Sequence, residues 1–463
     1  MGRRFLDSPW PYFVGAGLLL AAVVASQFQF QIRSRSRGSV EDVAALRDRA
    51  GLNVVFVLID TLRADRLGIY GYERPTSPVI DGLARQGVVF KRVLAQSSWT
   101  KTSMASLWTA THPIKNGILR FNHVLPEEAL LPAEIFKEAG YRTFGIWRNG
   151  WVAPNFGFGQ GFDVYMRPTP GRERLRMQRQ TIGRPLLKGT DEDIVNAAVE
   201  LLATPREAPV FIYVHLMDIH QYTYDEGSPH FGTSYSDAYD QSIAWTDRVV
   251  GSLVKAVDDA GLLTNTLIAI SSDHGEAFRE HGTEGHARNL YGEVTEVPFI
   301  LVFPFVLEPG IAVETQVSNI DVWPTILDLV GLPPLPHADG VSLVPLILDA
   351  GDGGDAPTGD GFTRPLFAHL DRRWGRPEEP SDPLVAVLAE QQRLILRVNQ
   401  PEQSEFYDRS VDSAESHNLF SERPEEAQRF RQLGERYLGD SKAPWGQEPK
   451  EIELDEMQMN QLR

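Results

Sequence analysis

Five stretches of the chain are unbroken apolar runs rich in β-branched residues, and the segments between them space their apolar positions as helices do. The runs are NVVFVLID (53–60), TFGIW (143–147), VFIYVHLMD (210–218), TLIAISSDHG (266–275) and VPFILVFP (297–304). A run without polar alternation predicts a strand buried on both faces, as in a parallel sheet. SPVIDGLARQG, LPAEIFKEAG and SIAWTDRVVGSLVKAVDDAG each close on a glycine that suits a helix end, and they predict helices. Strand and helix alternate, so the fold class expected is α/β: a three-layer sandwich with a mostly parallel central sheet covered on both faces. Further on, PLFAHL, LVAVL and QRLILRV predict a small C-terminal antiparallel sheet.

The N-terminus has a different pattern. Two arginines precede a mostly apolar run from Trp10 to Phe28, and Arg33, Arg35 and Arg37 follow it. The run is about the 20 residues that a transmembrane helix needs. Its most apolar part, Phe13 to Ala25, also has the length of a signal-peptide core, so residues 1–35 are expected to be a membrane anchor or a cleaved signal. Residues 36–51 then predict a linker, 52–348 a catalytic domain, 349–362 (with the Gly- and Asp-rich DAGDGGDAPTGDG) a second linker, 363–440 a C-terminal subdomain and 441–463 a loose tail.

Composition narrows the function classes. The net charge of -17 argues against a nucleic-acid partner, which would need a basic face. The chain has no cysteine, so disulfides, thiolate metal sites and a cysteine nucleophile are excluded.

Ligands bind at the carboxyl ends of strands in such sheets. Asp60 ends the first run, Asp218 and His220 follow the third, and Asp273 and His274 end the fourth. One aspartate after a strand is ordinarily a turn former or a cap. Several on one sheet edge, with an imidazole, suit a divalent cation that orients an ester and activates a nucleophile. The segment QSSWTKTSMASLWTATHP (96–113) is rich in hydroxyls, any of which could be a nucleophile, a cap or a packing group.

These pieces occur in the order and spacing of a known family. NVVFVLIDTLRADRLGIYGY, the hydroxyl-rich segment, GYRTFGIWRNG, HLMDIHQY, NTLIAISSDHGEAFREHG, GHARNLYGEVTEVPFI, VSNIDVWPTILDLVGLP and SEFYDRSVDSAESHNLF run from Asn53 to Phe420. Together they resemble the sulfatase branch of the alkaline phosphatase superfamily. The resemblance implies an alkaline-phosphatase-like sandwich and a nucleophile at Thr100. Formylglycine-dependent members carry Cys or Ser-x-Pro-x-Arg at that place, whereas this chain has Thr100, Lys101, Thr102, Ser103 and Met104. No formylglycine is therefore expected, and the segment is more similar to Thr-nucleophile relatives such as lipoteichoic acid synthases and phosphoethanolamine transferases. Carried over, the likeness assigns Asp60, Thr100, Asp273 and His274 to one divalent metal ion (Mn, Mg, Ca or Zn).

It also implies that His220 contacts the transferred group or the leaving oxygen, although it could equally be a core histidine. His286, Arg288, Arg148 and Asn149 are implied to bind substrate. The activity expected is hydrolysis or transfer of phosphate or sulfate esters, lipid- or glycan-linked, with phosphate favoured, by a catalytic domain outside the cytoplasm. The alternative is a catalytically degenerate relative that binds a partner or an anionic glycan.

Overall fold

The computed structural model describes residues 35–168, 189–204, 207–351, 362–440 and 444–454. Eight strands form the central sheet: β1 (Asn53–Ile59), β2 (Val88–Leu94), β3 (Arg142–Ile146), β4 (Val164–Met166), β5 (Val210–Leu216), β6 (Thr266–Ser271), β7 (Glu296–Val302) and β8 (Ile311–Ser318). Their spatial order is β8-β2-β7-β6-β1-β5-β3-β4. β6, β1, β5, β3 and β4 are mutually parallel, and β7 alone runs antiparallel to both of its neighbours.

Every residue of β1 is buried, which is what its unbroken apolar run requires. Val54, Phe56 and Leu58 point to one layer, where Phe56 meets Trp108 and Trp323. Val55, Val57 and Ile59 point to the other, against Ile194, Ile243 and Val250. Helices α1 (Pro78–Ala84), α3 (Asp191–Leu202) and α4 (Tyr235–Asp259) supply that second layer, and α2 (Thr100–Thr109) and α5 (Val322–Leu329) supply the first. α4 opens with Ser234 as its cap, the hydroxyl accepting from Asp237 N at 3.1 Å.

A four-stranded antiparallel sheet, β9 (Leu366–Asp371), β10 (Pro383–Ala389), β11 (Gln392–Arg397) and β12 (Glu405–Asp408), carries helix α6 (Pro424–Leu438) on one face. Its other face packs Leu366, Leu370, Leu384 and Leu388 against Leu94, Trp99 and Leu290 of the large sheet's domain. Arg393, fully buried, forms an ion pair with Glu296 across this junction and a second with Glu415 of its own subdomain.

Several boundaries differ from the expectation. Residues 36–51 are not a linker: Arg37–Gly38 pairs with Val306–Leu307, and Val43 and Leu46 are buried. Two apolar contacts in so short a polar stretch leave no readable period. The tail from residue 441 is in part folded, since Lys450–Glu451 pairs with His123–Val124 and Ile452 and Leu454 pack on the core. The second linker starts inside a helix that ends at Gly351, and residues 352–361 lie outside the described ones. The apolar run 10–28 lies outside them as well, and no helix of the described residues is long and apolar enough to cross a membrane.

Candidate active site and metal centre

The carboxyl ends of β1, β6, β5 and β3 and the first turn of α2 converge on one edge of the sheet. Asp60 leaves β1 with its backbone N–H bonded to Leu216 O of β5, and its carboxylate is fully buried. Asp273 and His274 follow β6. One carboxylate oxygen each from Asp60 and Asp273 and a ring nitrogen of His274 lie within 4.8 Å of one another. Thr100 is the first residue of α2, and its Oγ1 is 3.0 Å from His274 Nε2.

Local backbone features hold this cluster together. Thr61 sits at φ 61°, a strained conformation for a β-branched residue, and aims its N–H at Asp273 Oδ1 at 3.2 Å. Gly275 has no room for a side chain, since a Cβ there would lie 2.2 Å from Glu293 O. Ser103 Oγ donates to Asp273 O at 2.6 Å and so ties α2 to the end of β6.

The donor set fits a cation. Asp60 Oδ1 and Asp273 Oδ2 are buried with no hydrogen-bond partner, an arrangement that costs several kcal/mol unless a positive charge compensates it. Burial and the neighbouring Asp60 charge push the Asp273 carboxyl up to about 7. Burial would also raise Asp60, but the His215 hydrogen bond and the surrounding imidazoles hold it well below the usual carboxylate range. Two oxygen ligands, an imidazole and a hydroxyl suit a hard or borderline divalent ion.

Around this centre, Asn149 Nδ2 donates to Asp60 Oδ2 at 2.5 Å and lies 3.5 Å from Thr100 Oγ1. His215 Nε2 is 3.0 Å from the same Asp60 oxygen, while its Nδ1 meets Tyr213 OH at 2.7 Å. His286 and His220 form the opposite wall, with ring centroids 4.5 Å from His274 for the first and 5.1 Å from each other. Glu276 faces His286 Nδ1 at 3.2 Å and, against the effect of burial, holds that imidazole above its ordinary pKa. Burial pushes His220 down to about 4.

Seven of the nine residues singled out from the sequence thus meet here: Asp60, Thr100, Asp273, His274, Asn149, His220 and His286. Asn149 points at the Asp60 carboxylate. Arg148 is beside the site but buried, its Nη1 bonded to Asp191 Oδ1 at 2.7 Å and Asp218 Oδ1 at 2.6 Å. Arg288 is exposed on the loop after His286, where Ala287 N bonds Ser98 O at 2.7 Å. Sequence reasoning missed His215 and Glu276. Both lie inside quoted segments, yet one reads as a strand residue and the other as part of a turn. A groove of about 900 Å³ between α1, α3 and α4, lined by Leu83, Trp245 and Asp247, lies on the helical face and holds none of these groups.

Residues 52–332 match the sulfatase family profile, and residues 280–440 match that of the C-terminal region of N-sulphoglucosamine sulphohydrolase. The chain is 27% identical over 314 residues to the ulvan-active sulfatase of Formosa agariphila, covering 60% of this chain and 61% of that protein. It is 28% identical over 351 residues to human arylsulfatase A, covering 65% of this chain and 68% of the other. The solved phosphonate monoester hydrolase of Agrobacterium radiobacter is similar in fold, with a TM-score of 0.66 at 18% identity over 84% of this chain and 95% of that one.

Proposed function

The chain belongs to the sulfatase family, and from that premise we propose that it is a metal-dependent hydrolase of sulfate or phosphate esters in which Thr100 is the nucleophile. One observation carries this reading: Thr100 Oγ1 lies 3.0 Å from His274 Nε2, at a helix N-terminus and beside two buried carboxylates with unpartnered oxygens. A divalent cation held by Asp60, Asp273, His274 and Thr100 would supply a Lewis acid that favours the Thr100 alkoxide and polarises the ester.

The chain's own groups do the rest. Asn149 and His215 fix the Asp60 carboxylate through hydrogen bonds of 2.5 and 3.0 Å, so they are positioning residues. Arg148 anchors the segment before Asn149 to Asp191 and Asp218. His286, kept basic by Glu276, offers positive charge to the non-bridging ester oxygens, and Arg288 adds a second cation at the rim. The Thr100 oxygen bonds to the central atom as the bond to the alcohol oxygen breaks. The proton that Thr100 gives up passes to the departing alcohol oxygen, which lies on the His220 side, and water then releases the acid from Thr100.

The ulvan-active sulfatase and arylsulfatase A support sulfate esters as substrates. The residues themselves favour phosphate: there is no cysteine to become formylglycine, and Thr100 to Met104 lack its Pro and Arg. A threonine sulfo-ester lacks the extra charge that helps a phosphoryl group engage a cation, so it would be released slowly. The apolar run 10–28 completes the proposal as a membrane anchor with the catalytic domain outside the cytoplasm.

The test is mass spectrometry of the Thr100 peptide after metal-loaded protein meets the phosphate diester, phosphate monoester and sulfate ester of one aryl alcohol, with alcohol release followed alongside. A phosphate adduct on Thr100 bears the full reading out. Release from the sulfate ester alone makes the protein a sulfatase without formylglycine. No release from any ester, with metal bound, leaves a binding protein on a sulfatase fold.

A further inference from the structure

We propose that Arg148 is the positioning residue for His220: its guanidinium grips the turn that carries this histidine on both sides, at Asp218 and Gln221. It thereby sets where the departing alcohol oxygen meets an imidazole. The inference rests on the hydrolase reading given above and deepens it, by naming what holds the leaving-group side of the site in place.

The turn runs from Met217 to Thr223 at the carboxyl end of β5, with His220 at its middle. Among the described residues no group hydrogen-bonds the His220 ring, which His286 faces at 5.1 Å between ring centroids. The ring therefore takes its place from its backbone. Arg148 Nη1 donates to Asp218 Oδ1 at 2.6 Å, and Nη2 donates to Gln221 Oε1 at 2.8 Å. One planar fork thus holds the residue two before His220 and the residue one after it. Asp191, at the start of α3, completes the hold by accepting from Met217 N at 2.8 Å and Asp218 N at 2.9 Å, while Trp245 Nε1 of α4 donates to Asp218 Oδ2 at 2.8 Å. Inside the turn, Gln221 N bonds Met217 O and Thr223 N bonds Asp218 O.

Arg148 is also the residue before Asn149, whose amide donates to Asp60 and lies 3.5 Å from Thr100 Oγ1. A single side chain therefore joins the nucleophile side of the site, at the end of β3, to the His220 side, at the end of β5. Arg148, Asp191 and Asp218 are all buried, and two carboxylates face one guanidinium. Burial and the Asp218 charge push the Asp191 carboxyl up to about 7. A buried ionic cluster of this kind adds little net stability over an apolar replacement, so what it supplies here is direction. An imidazole held in this way can donate its N–H to the oxygen on which negative charge develops, an effect that grows as the alcohol becomes a poorer leaving group.

The test compares kcat/KM, at saturating divalent metal, for the dinitrophenyl and phenyl esters of the acid that the parent turns over. Dinitrophenolate leaves without help, and phenolate does not. H220A should slow the phenyl ester about tenfold more than the dinitrophenyl ester, R148M should reproduce that difference, and in the H220A background R148M should add nothing to it. R148K should resemble R148M, because an ammonium keeps the charge but cannot span Asp218 and Gln221. Q221M leaves Arg148 and both aspartates in place, so it carries the test if R148M does not fold; a difference of about threefold is expected there.

Equal losses on the two esters in R148M and Q221M overturn the proposal, and so does a parent-like ratio in R148K. Amide hydrogen exchange gives a readout that needs no turnover: residues 217–223 should exchange about tenfold faster in R148M or Q221M than in the parent. Unchanged exchange there overturns the grip whatever the rates show. If the parent turns over neither ester, the hydrolase reading falls, while the exchange still decides whether Arg148 holds the turn.

Discussion

Six hydroxyl-bearing residues lie between Ser97 and Ser106, and five of them differ from Thr100 in what surrounds the oxygen. Ser98, Thr102 and Ser103 donate to backbone carbonyls, Ser106 accepts from Asn116, and Ser97 is buried without a partner. Only Thr100 meets an imidazole beside two carboxylates. Replacing Thr100 by Ala is expected to lower turnover by at least about a thousandfold while leaving the thermal midpoint near that of the parent. Retention of turnover in that variant would remove the nucleophile from the reading. Asn149→Ala should weaken metal affinity and turnover by about 10–100-fold, because a donor to Asp60 is lost; metal titration by calorimetry would register it. The site was legible where residue types carry the chemistry outright, as with the Asp-His pair at 273–274. His215 was not, since nothing in a strand run says which buried histidine turns toward a carboxylate.

Among the elements, the loop between β6 and β7 joins the catalytic edge to the C-terminal subdomain, and one of its links is a histidine. His281 Nδ1 lies 2.8 Å from Glu293 and its Nε2 is 3.0 Å from Glu415 O, and, against the effect of burial, these partners raise it from 6.5 to about 9. A pKa raised in the folded state means stability that is complete below about 6.5 and is lost as pH rises through about 9. Thermal unfolding followed from pH 6.5 to 10 should therefore show a decline that His281→Gln flattens. An unchanged slope in the variant would exclude His281 as its source. At this scale the pattern of the chain was only partly readable. β1, β5 and β6 are continuous apolar runs because both their faces are covered. β2 was missed because Lys91 and Arg92 interrupt it, and β8 because its edge position lets it alternate. The direction of β7 left no trace, since a buried strand has the same composition whichever way it runs.

For the whole molecule, the aromatic layer beneath β1 and the candidate metal centre above its end are the two places where stability should be felt. Trp323 is completely buried and meets Phe56 at 5.0 Å and Trp108 at 4.9 Å, so Trp323→Ala should cost about 3–5 kcal/mol in denaturant unfolding. Chelation should lower the melting temperature, because a cation that binds only the folded state stabilises it by mass action, by about 2.7 kcal/mol at a hundred times its dissociation constant. The same treatment should leave Asp273→Asn nearly unmoved. A chelator without effect on the parent would argue against the centre. By itself the sequence determined the α/β layering and the segments that carry the chemistry, because burial period and side-chain type are local properties; the expectation that a threonine attacks is what the family resemblance implies. Tertiary structure alone decided that Asn149 and His215 converge on Asp60, that Arg148 turns inward, and that residues 36–48 are bound to the edge opposite the site. Those facts depend on the order and direction in which distant strands pair, which no local pattern encodes.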